Sequence, residues 1–469
     1  MDKRLDSIVK SYSTRLINCV CESIRIRSIY TPDEDGSHYG REIATAAEHA
    51  MAEARKLGFR VVDLDGAVAW AEYGTSEETV AVMGHLDIVH PGDGWDFDPY
   101  SGIVENGYIL GRGSQDDKGP LFSSLFALKA VVDLGIPLKR KVRVIFGLDE
   151  ETGKMRDVEA YLKSEGAPLM AFTPDGEYPV VNTEKGAIKF KAHKIFAENS
   201  SSKGLSIVAV NGGESLGSVP AQAYAIIRGV NFMLTSASKN IEQKASRLSW
   251  NVSCRIDEDT LKVSTTGKAA HATLPELGEN AIGRLLVLLA DIDISGEYGS
   301  YLKFLAEKIG VDTKGISMEI NAEHPHSGNL TLNLALIEGD AETVTISVGI
   351  YVPANTVPFE AVCFRIEKEF NDQGAEIEIL SRIPPLFVSE DSMLIKKLQA
   401  AYYNATGKEP KLISMCGSTY SKKMPNMVPF GATFTGEEER AHGANERALI
   451  SNLLESTRIM AYAILEMAK

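Results

Sequence analysis

Apolar residues recur at helical spacing over residues 5–27 and 42–57, which predicts helices near the N-terminus. Short, unbroken apolar runs follow. "TVAVMG" (79–84) and "KVRVIFGL" (141–148) are rich in Val, Ile and Phe and read as strands. Between them, "PLFSSLFALKAVVDLG" (120–135) has helical periodicity, with a proline at its start and a glycine at its end. Strand, helix and strand in that order predict an α/β sheet with some parallel strands.

The texture changes after about residue 185. "KFKAHKIFAEN" (189–199), "QAYAIIRGV" (222–230) and "TLKVSTTGKAAHATLP" (260–275) read as strands and turns, and "ENAIGRLLVLLADI" (279–292) as a long helix. Strand patterns return at 341–353 and 374–382, the prolines of "SRIPPLFVSED" (381–391) break the pattern, and a final helix spans "ALISNLLESTRIMAYAILEMAK". The expected organisation is an α/β domain built from residues 1–185 and 385–469, with an α+β segment, 186–384, inserted in it.

Composition narrows the class. A chain of 469 residues exceeds one ordinary core, so two or three domains are expected. The balance of 49 Lys and Arg against 64 Asp and Glu, net −15, repels phosphate backbones and anionic bilayers, so neither nucleic acid nor membrane is an expected partner. No apolar run reaches the roughly 18 residues of a spanning helix, and the charged start "MDKRLDSIVK" has no secretory core, which predicts a cytoplasmic protein. Five scattered cysteines predict no disulfides, and Cys19 and Cys21 read as helix packing.

The candidate chemistry gathers where apparent strands end. The first run ends in His85 and Asp87; "GRGSQDDKGP" brings Asp116 and Asp117, "FGLDEETG" Asp149, Glu150 and Glu151, "FTPDGEYP" Asp175, and "EERAHGANE" His442. Ligand sites of doubly wound sheets form beyond the carboxyl ends of strands, so these acids and imidazoles predict one convergent site. Two His and three carboxylates suit a pair of borderline cations such as zinc, about 3.5–4 Å apart with a shared carboxylate and a water between them as nucleophile. Of the neighbours Glu150 and Glu151, extended backbone would send one to a metal and the other to the water. Asp87, two residues beyond His85, is placed to accept the ring's other N–H and fix its tautomer. Helix capping by Asp116 or Asp117 is the plain alternative. His90, His324 and His326 read as surface residues, and Trp95 as packing for its loop.

Taken in order, His85-Leu-Asp87, "GRGSQDDKG", "DEETG", "PDGEYP" and His442 resemble the co-catalytic zinc exopeptidases, the group of PepV-type dipeptidases, carnosinases, aminoacylases and glutamate carboxypeptidases. The likeness spans nearly the whole chain, and "GHLDIVHPGDGW" with the tail "TYSKKMPNMVPFGATF" draws it towards the PepV-type branch. The resemblance implies an enzyme holding two Zn2+ per chain, with Co2+ or Mn2+ as substitutes. It makes His85 and Asp175 ligands of one metal, Glu151 and His442 ligands of the other, and Asp116 the bridge. It makes Glu150 the general base and Asp87 the acid beside the first ligand, and expects a cis peptide after Asp116. The inserted segment becomes a lid whose His271, in "GKAAHATLPELGENAI", stabilises the oxyanion. The implied substrate is a dipeptide or a short acylated amino acid, and the implied state a monomer.

Two positions depart from the pattern. Gly217 in "GGESLGSVP" stands where an Asn is expected, and Ile350 in "SVGIYVPANT" where an Arg is expected; Lys422 also occupies a place often held by Arg. A missing guanidinium removes a bidentate partner for a substrate carboxylate. The alternatives to a dipeptidase are therefore an N-acyl amino acid deacylase and a catalytically impaired, metal-containing peptide-binding protein.

Overall fold

The two apolar runs become adjacent parallel strands, Thr79–His85 and Lys141–Gly147, paired from Thr79–Lys141 to His85–Gly147. They lie at the centre of a six-stranded sheet ordered Arg60–Asp63, Ala69–Tyr73, Lys141–Gly147, Thr79–His85, Met170–Thr173 and Met427–Pro429. The first three neighbours are antiparallel and the last four strands run parallel, so the fold is α/β with a central mixed sheet. The computed structural model describes residues 3–31, 37–196 and 204–469.

The unbroken apolar runs reflect burial of both faces of the sheet. Val80 and Val82 pack into a core with the Lys118–Asp133 and Ile450–Ala468 helices, through Leu121, Phe122, Leu125 and Ile464. Ala81 and Met83 point the other way, to Val158 and Tyr161 of the Arg156–Glu165 helix. The Lys118–Asp133 helix buries every residue but Lys129, Val132 and Asp133. It begins two residues before Pro120, which sits in the first turn where its missing N–H costs no bond. The N-terminal helix expected over 5–27 is instead two, Lys3–Ser11 and Ser13–Ile24. The Tyr12 N–H reaches only to Val9 O, and the Ser11 and Ser13 hydroxyls donate to the Ile8 and Lys10 carbonyls, tightening that turn.

The chain divides into two compact units, Met1–Thr183 with Leu386–Lys469, and Glu184–Pro385. In the second unit eight strands form a sheet whose neighbouring pairs are antiparallel. The Asn231–Leu248, Ala281–Leu289, Gly296–Lys308 and Phe359–Asn371 helices share one apolar core with it, including Leu234, Leu285, Leu305, Phe370 and Phe190. Ile350 lies in that core, fully buried, paired across the sheet with Leu332 and Ile188. The strand predicted over 189–199 is Gly186–Ile195, and the last residues of the prediction lie outside the described residues. All five cysteines are free. Among the described residues no helix is long and apolar enough to cross a membrane.

Candidate metal centre

The four parallel strands end along one edge of the mixed sheet, and His85, Glu150, Glu151 and Asp175 lie at or just beyond their carboxyl ends. His85 is the last residue of its strand. Glu150 and Glu151 follow Gly147, Asp175 follows Thr173, and Asp116 immediately precedes the Asp117 cap of the Lys118–Asp133 helix. His442 stands in a loop before the Arg447–Leu449 strand, with a left-handed φ of 62°.

Two donor sets result. His85, Asp116 and Asp175 form one, and Asp116, Glu151 and His442 the other, each with its donor atoms within 4.8 Å of one another. Asp116 Oδ1 lies 2.9 Å from His85 Nε2, and its Oδ2 lies 3.0 Å from His442 Nε2. Asp175 Oδ2 is 4.0 Å from the His85 ring, and Glu151 Oε2 is 3.1 Å from His442. The His85 side chain is fully buried, whereas 57% of the His442 side chain is exposed.

Supporting contacts explain the geometry. His85 Nδ1 faces the Asp87 backbone carbonyl at 2.9 Å, nearer than the Asp87 carboxylate at 3.5 Å. That carboxylate instead accepts the Glu151 N–H at 2.8 Å, so Asp87 ties the end of the His85 strand to the turn carrying Glu151. Glu150 and Glu151 do not occupy extended backbone. They lie in a turn closed by Gly153 N–H to Glu150 O and Met155 N–H to Asp149 O. Asp117 does not cap its helix through its side chain; its carboxylate accepts the His85 N–H at 3.0 Å. Gly84 is needed for that approach, since a Cβ there would meet Asp117 Oδ2 at 2.2 Å. The Asp116–Asp117 peptide is cis.

The electrostatics follow from crowding. Burial alone would lower the His85 pKa, but hydrogen bonds to Asp116 and Asp87 outweigh it and hold the imidazole well above its usual value. Asp116 and Glu151 raise His442 to about 11. Burial pushes Asp116 up, yet its two imidazole partners hold it below the usual carboxylate range. Glu150 is pushed well up by burial, partly offset by His85 and reinforced by Asp175, Glu151 and Asp116. A small cavity of about 80 Å³ opens beside Asp116 and Asp175, lined also by Met415, Thr433 and Glu439.

This donor set fits divalent cations. Imidazole with carboxylate is the usual surrounding of zinc and its neighbours. Among the described residues Glu151 Oε1 is buried without a hydrogen-bond partner, as a carboxylate oxygen kept for a cation would be.

Peptidase family M20/M25/M40 matches residues 81–466. The chain belongs to this family. A Bacillus subtilis relative named "Putative dipeptidase YtjP" is 32% identical over 97% of both chains. A second relative, "Putative dipeptidase SAB1611c" of Staphylococcus aureus, is 26% identical over 97% of both chains. Among solved structures the fold is similar to human carnosine dipeptidase 1, with TM-score 0.60, 18% identity and 99% and 98% of the two chains covered. It is also similar to aminoacylhistidine dipeptidase from Vibrio alginolyticus, with TM-score 0.57, 15% identity and 96% of each chain covered.

His271 lies in the second unit, exposed, with Nδ1 2.6 Å from Thr273 Oγ1; its loop is held by Ala272 N–H to Gly217 O. Gly217 thus contributes a backbone carbonyl beside His271. His90 and His326 are exposed. Trp95 packs on Phe97 and under the Arg112 guanidinium. Sequence reasoning missed the supporting roles of Asp117, Arg112 and Glu446. Glu446 ends the quoted "EERAHGANE", but nothing local in the sequence marks its role.

Proposed function

We propose that this chain is a dinuclear metal-dependent dipeptidase, hydrolysing the amide bond of a dipeptide or a similarly short substrate. The observation that carries the reading is Asp116, whose two carboxylate oxygens face two different imidazoles at 2.9 and 3.0 Å. His85 and Asp175 would hold one cation, Glu151 and His442 the other, with Asp116 shared. The donors suit Zn2+, with Co2+ or Mn2+ as substitutes. Two such cations, when bound, acidify a shared water and polarise the scissile carbonyl.

The chain's own residues supply the rest. Glu150 takes the water's proton and passes it to the leaving amine; burial, reinforced by Asp175, Glu151 and Asp116, raises its proton affinity. Asp87 orients His85 through its carbonyl and the Glu151 loop through its carboxylate. The second unit is read as a lid that brings His271 to the oxyanion, a role supported by the motif around His271 and by family likeness. In this reading the protein acts in the cytoplasm as a monomer, both halves of the lid lying in one chain. The names of the curated relatives support a dipeptide substrate.

Protein loaded with Zn2+, Co2+ or Mn2+ is expected to cleave members of a dipeptide panel faster than N-acetyl amino acids. Glu150→Ala should lower turnover by about 10²–10⁴-fold while both cations stay bound. Preference for the N-acetyl compounds would make the chain a deacylase. Inertness towards every amide, with measurable peptide affinity, would make it a peptide-binding protein.

A further inference from the structure

We propose that Glu446 is a positioning residue for both cation sets: its buried carboxylate fixes the loop presenting Asp116 and anchors the turn presenting His442. The inference rests on the two donor sets being a metal centre. Glu446 is fully buried and its partner Arg112 is 1% exposed. One oxygen, Oε1, accepts three backbone N–H groups, from Gly113 at 3.0 Å, Gln115 at 2.9 Å and Asp116 at 3.3 Å. The other, Oε2, accepts the Arg112 guanidinium at 2.5 Å. The Glu446 main-chain carbonyl accepts the Gly111 N–H at 3.0 Å. Arg112 is itself fixed, donating to Pro91 O and lying 5.3 Å above the Trp95 ring.

Both oxygens of Glu446 are engaged, so the group is not a spare ligand. An unpaired buried carboxylate would be costly. Here Arg112 and a fan of amides that ends at the shared aspartate partly offset the burial and the Asp116 charge that push the Glu446 pKa up to about 7. Such charge-assisted bonds are directional. The chain enters Glu446 through an unusual turn: His442 and Asn445 both have left-handed φ, 62° and 61°, a region His and Asn adopt more readily than most non-glycine residues and that outside support steadies. Asn445 receives it from Asp96, and Glu446 from the 111–116 loop. One carboxylate therefore sets Asp116 and His442 in register with each other. Since Asp116 must face two imidazoles at once, a shift of its backbone by a fraction of an ångström degrades both sets.

The test is cation binding by the full-length, metal-stripped chain, followed by Co2+ absorption and calorimetry without substrate. Wild type is expected to take two Co2+ per chain. Glu446→Gln, which loses the charge facing the amides and Arg112, should bind both ions about 10–100-fold more weakly. Arg112→Lys keeps the carboxylate against the amides, so it should melt at lower temperature yet bind near the wild-type affinity. Should the Gln form not fold, Glu446→Asp, which keeps the charge but withdraws it from the amides, should show the same weakening. Wild-type affinity in the Glu446 variants, or equal weakening in Arg112→Lys, would overturn the proposal. A wild-type chain that takes up no cation pair would defeat the metal-centre reading instead.

Discussion

His85 and His442 face the same carboxylate from two different kinds of scaffold. His85 ends a central strand, is wholly buried, and has its amide held by Asp117 and its ring by the Asp87 carbonyl, both close in the fold. His442 stands on a half-exposed loop in left-handed conformation, with residues 445 and 446 fastened to loops more than 300 positions away in sequence. The strand half is built from packing around a sheet end; the loop half is built from a few polar contacts. Failure should therefore look different on the two sides.

The largest effect is expected where the sides meet. Asp116→Ala removes the only carboxylate common to both sets, so uptake of a cation pair should be lost. Turnover should fall by about three orders of magnitude or more, the worth of several kcal/mol of charge stabilisation. Retention of two tightly bound cations by this variant would refute the shared-carboxylate arrangement. Next comes a blow to the strand side alone. Gly84→Ala would place a methyl 2.2 Å from Asp117 Oδ2 and 3.1 Å from Leu121 Cβ, displacing the carboxylate that holds the His85 amide. Denaturant unfolding should report a loss of about 2–3 kcal/mol.

The strand half was also the more legible in sequence. Val and Ile runs marked Thr79–His85 and Lys141–Gly147 because both faces of those strands are covered, and the site residues at their ends followed from strand direction. The Arg156–Glu165 and Asn231–Leu248 helices escaped notice because their exposed faces leave few apolar positions to count. Asp117 sits where a helix cap belongs, and nothing local distinguishes a cap from a partner of the His85 amide. Ile350 invited comparison with a substrate-binding Arg, yet strand alternation turns it into the core of the second unit. Glu446 was unreadable for a different reason: its partners, Gly113 to Asp116, become neighbours only after folding.

Acidity sharpens the comparison further. In the metal-free chain both imidazoles are held above their usual pKa, His442 at about 11, so at neutral pH the His442 ring carries a proton that a cation must displace. Apparent cation affinity should thus rise with pH, by about tenfold per unit for each proton released. The metal-free fold should respond in the opposite sense. A raised folded-state pKa contributes stability that is complete below the unfolded value of about 6.5 and is lost as pH climbs towards the folded value. Calorimetry in buffers of different ionisation enthalpy should count these protons. His442→Gln should release one fewer, and an unchanged count would separate that ring from cation binding.

The smallest predicted effect isolates the loop half. Asn445 donates to Asp96 Oδ2 and accepts the Asp96 N–H, both at 2.8 Å, while holding a φ of 61°. Asn445→Ala removes both bonds and adds backbone strain, whereas Asn445→Gly removes the bonds and relieves the strain. If the contacts to Asp96 are what hold the loop, both variants should lose about 1 kcal/mol of stability, alanine somewhat more. Both should also weaken the cation held by Glu151 and His442 about fivefold, while the set with His85 and Asp175, built on the strand, keeps its affinity. Equal weakening of the two sets would mean that the loop and strand halves are not separable, and that Asp116 transmits any disturbance of one directly to the other.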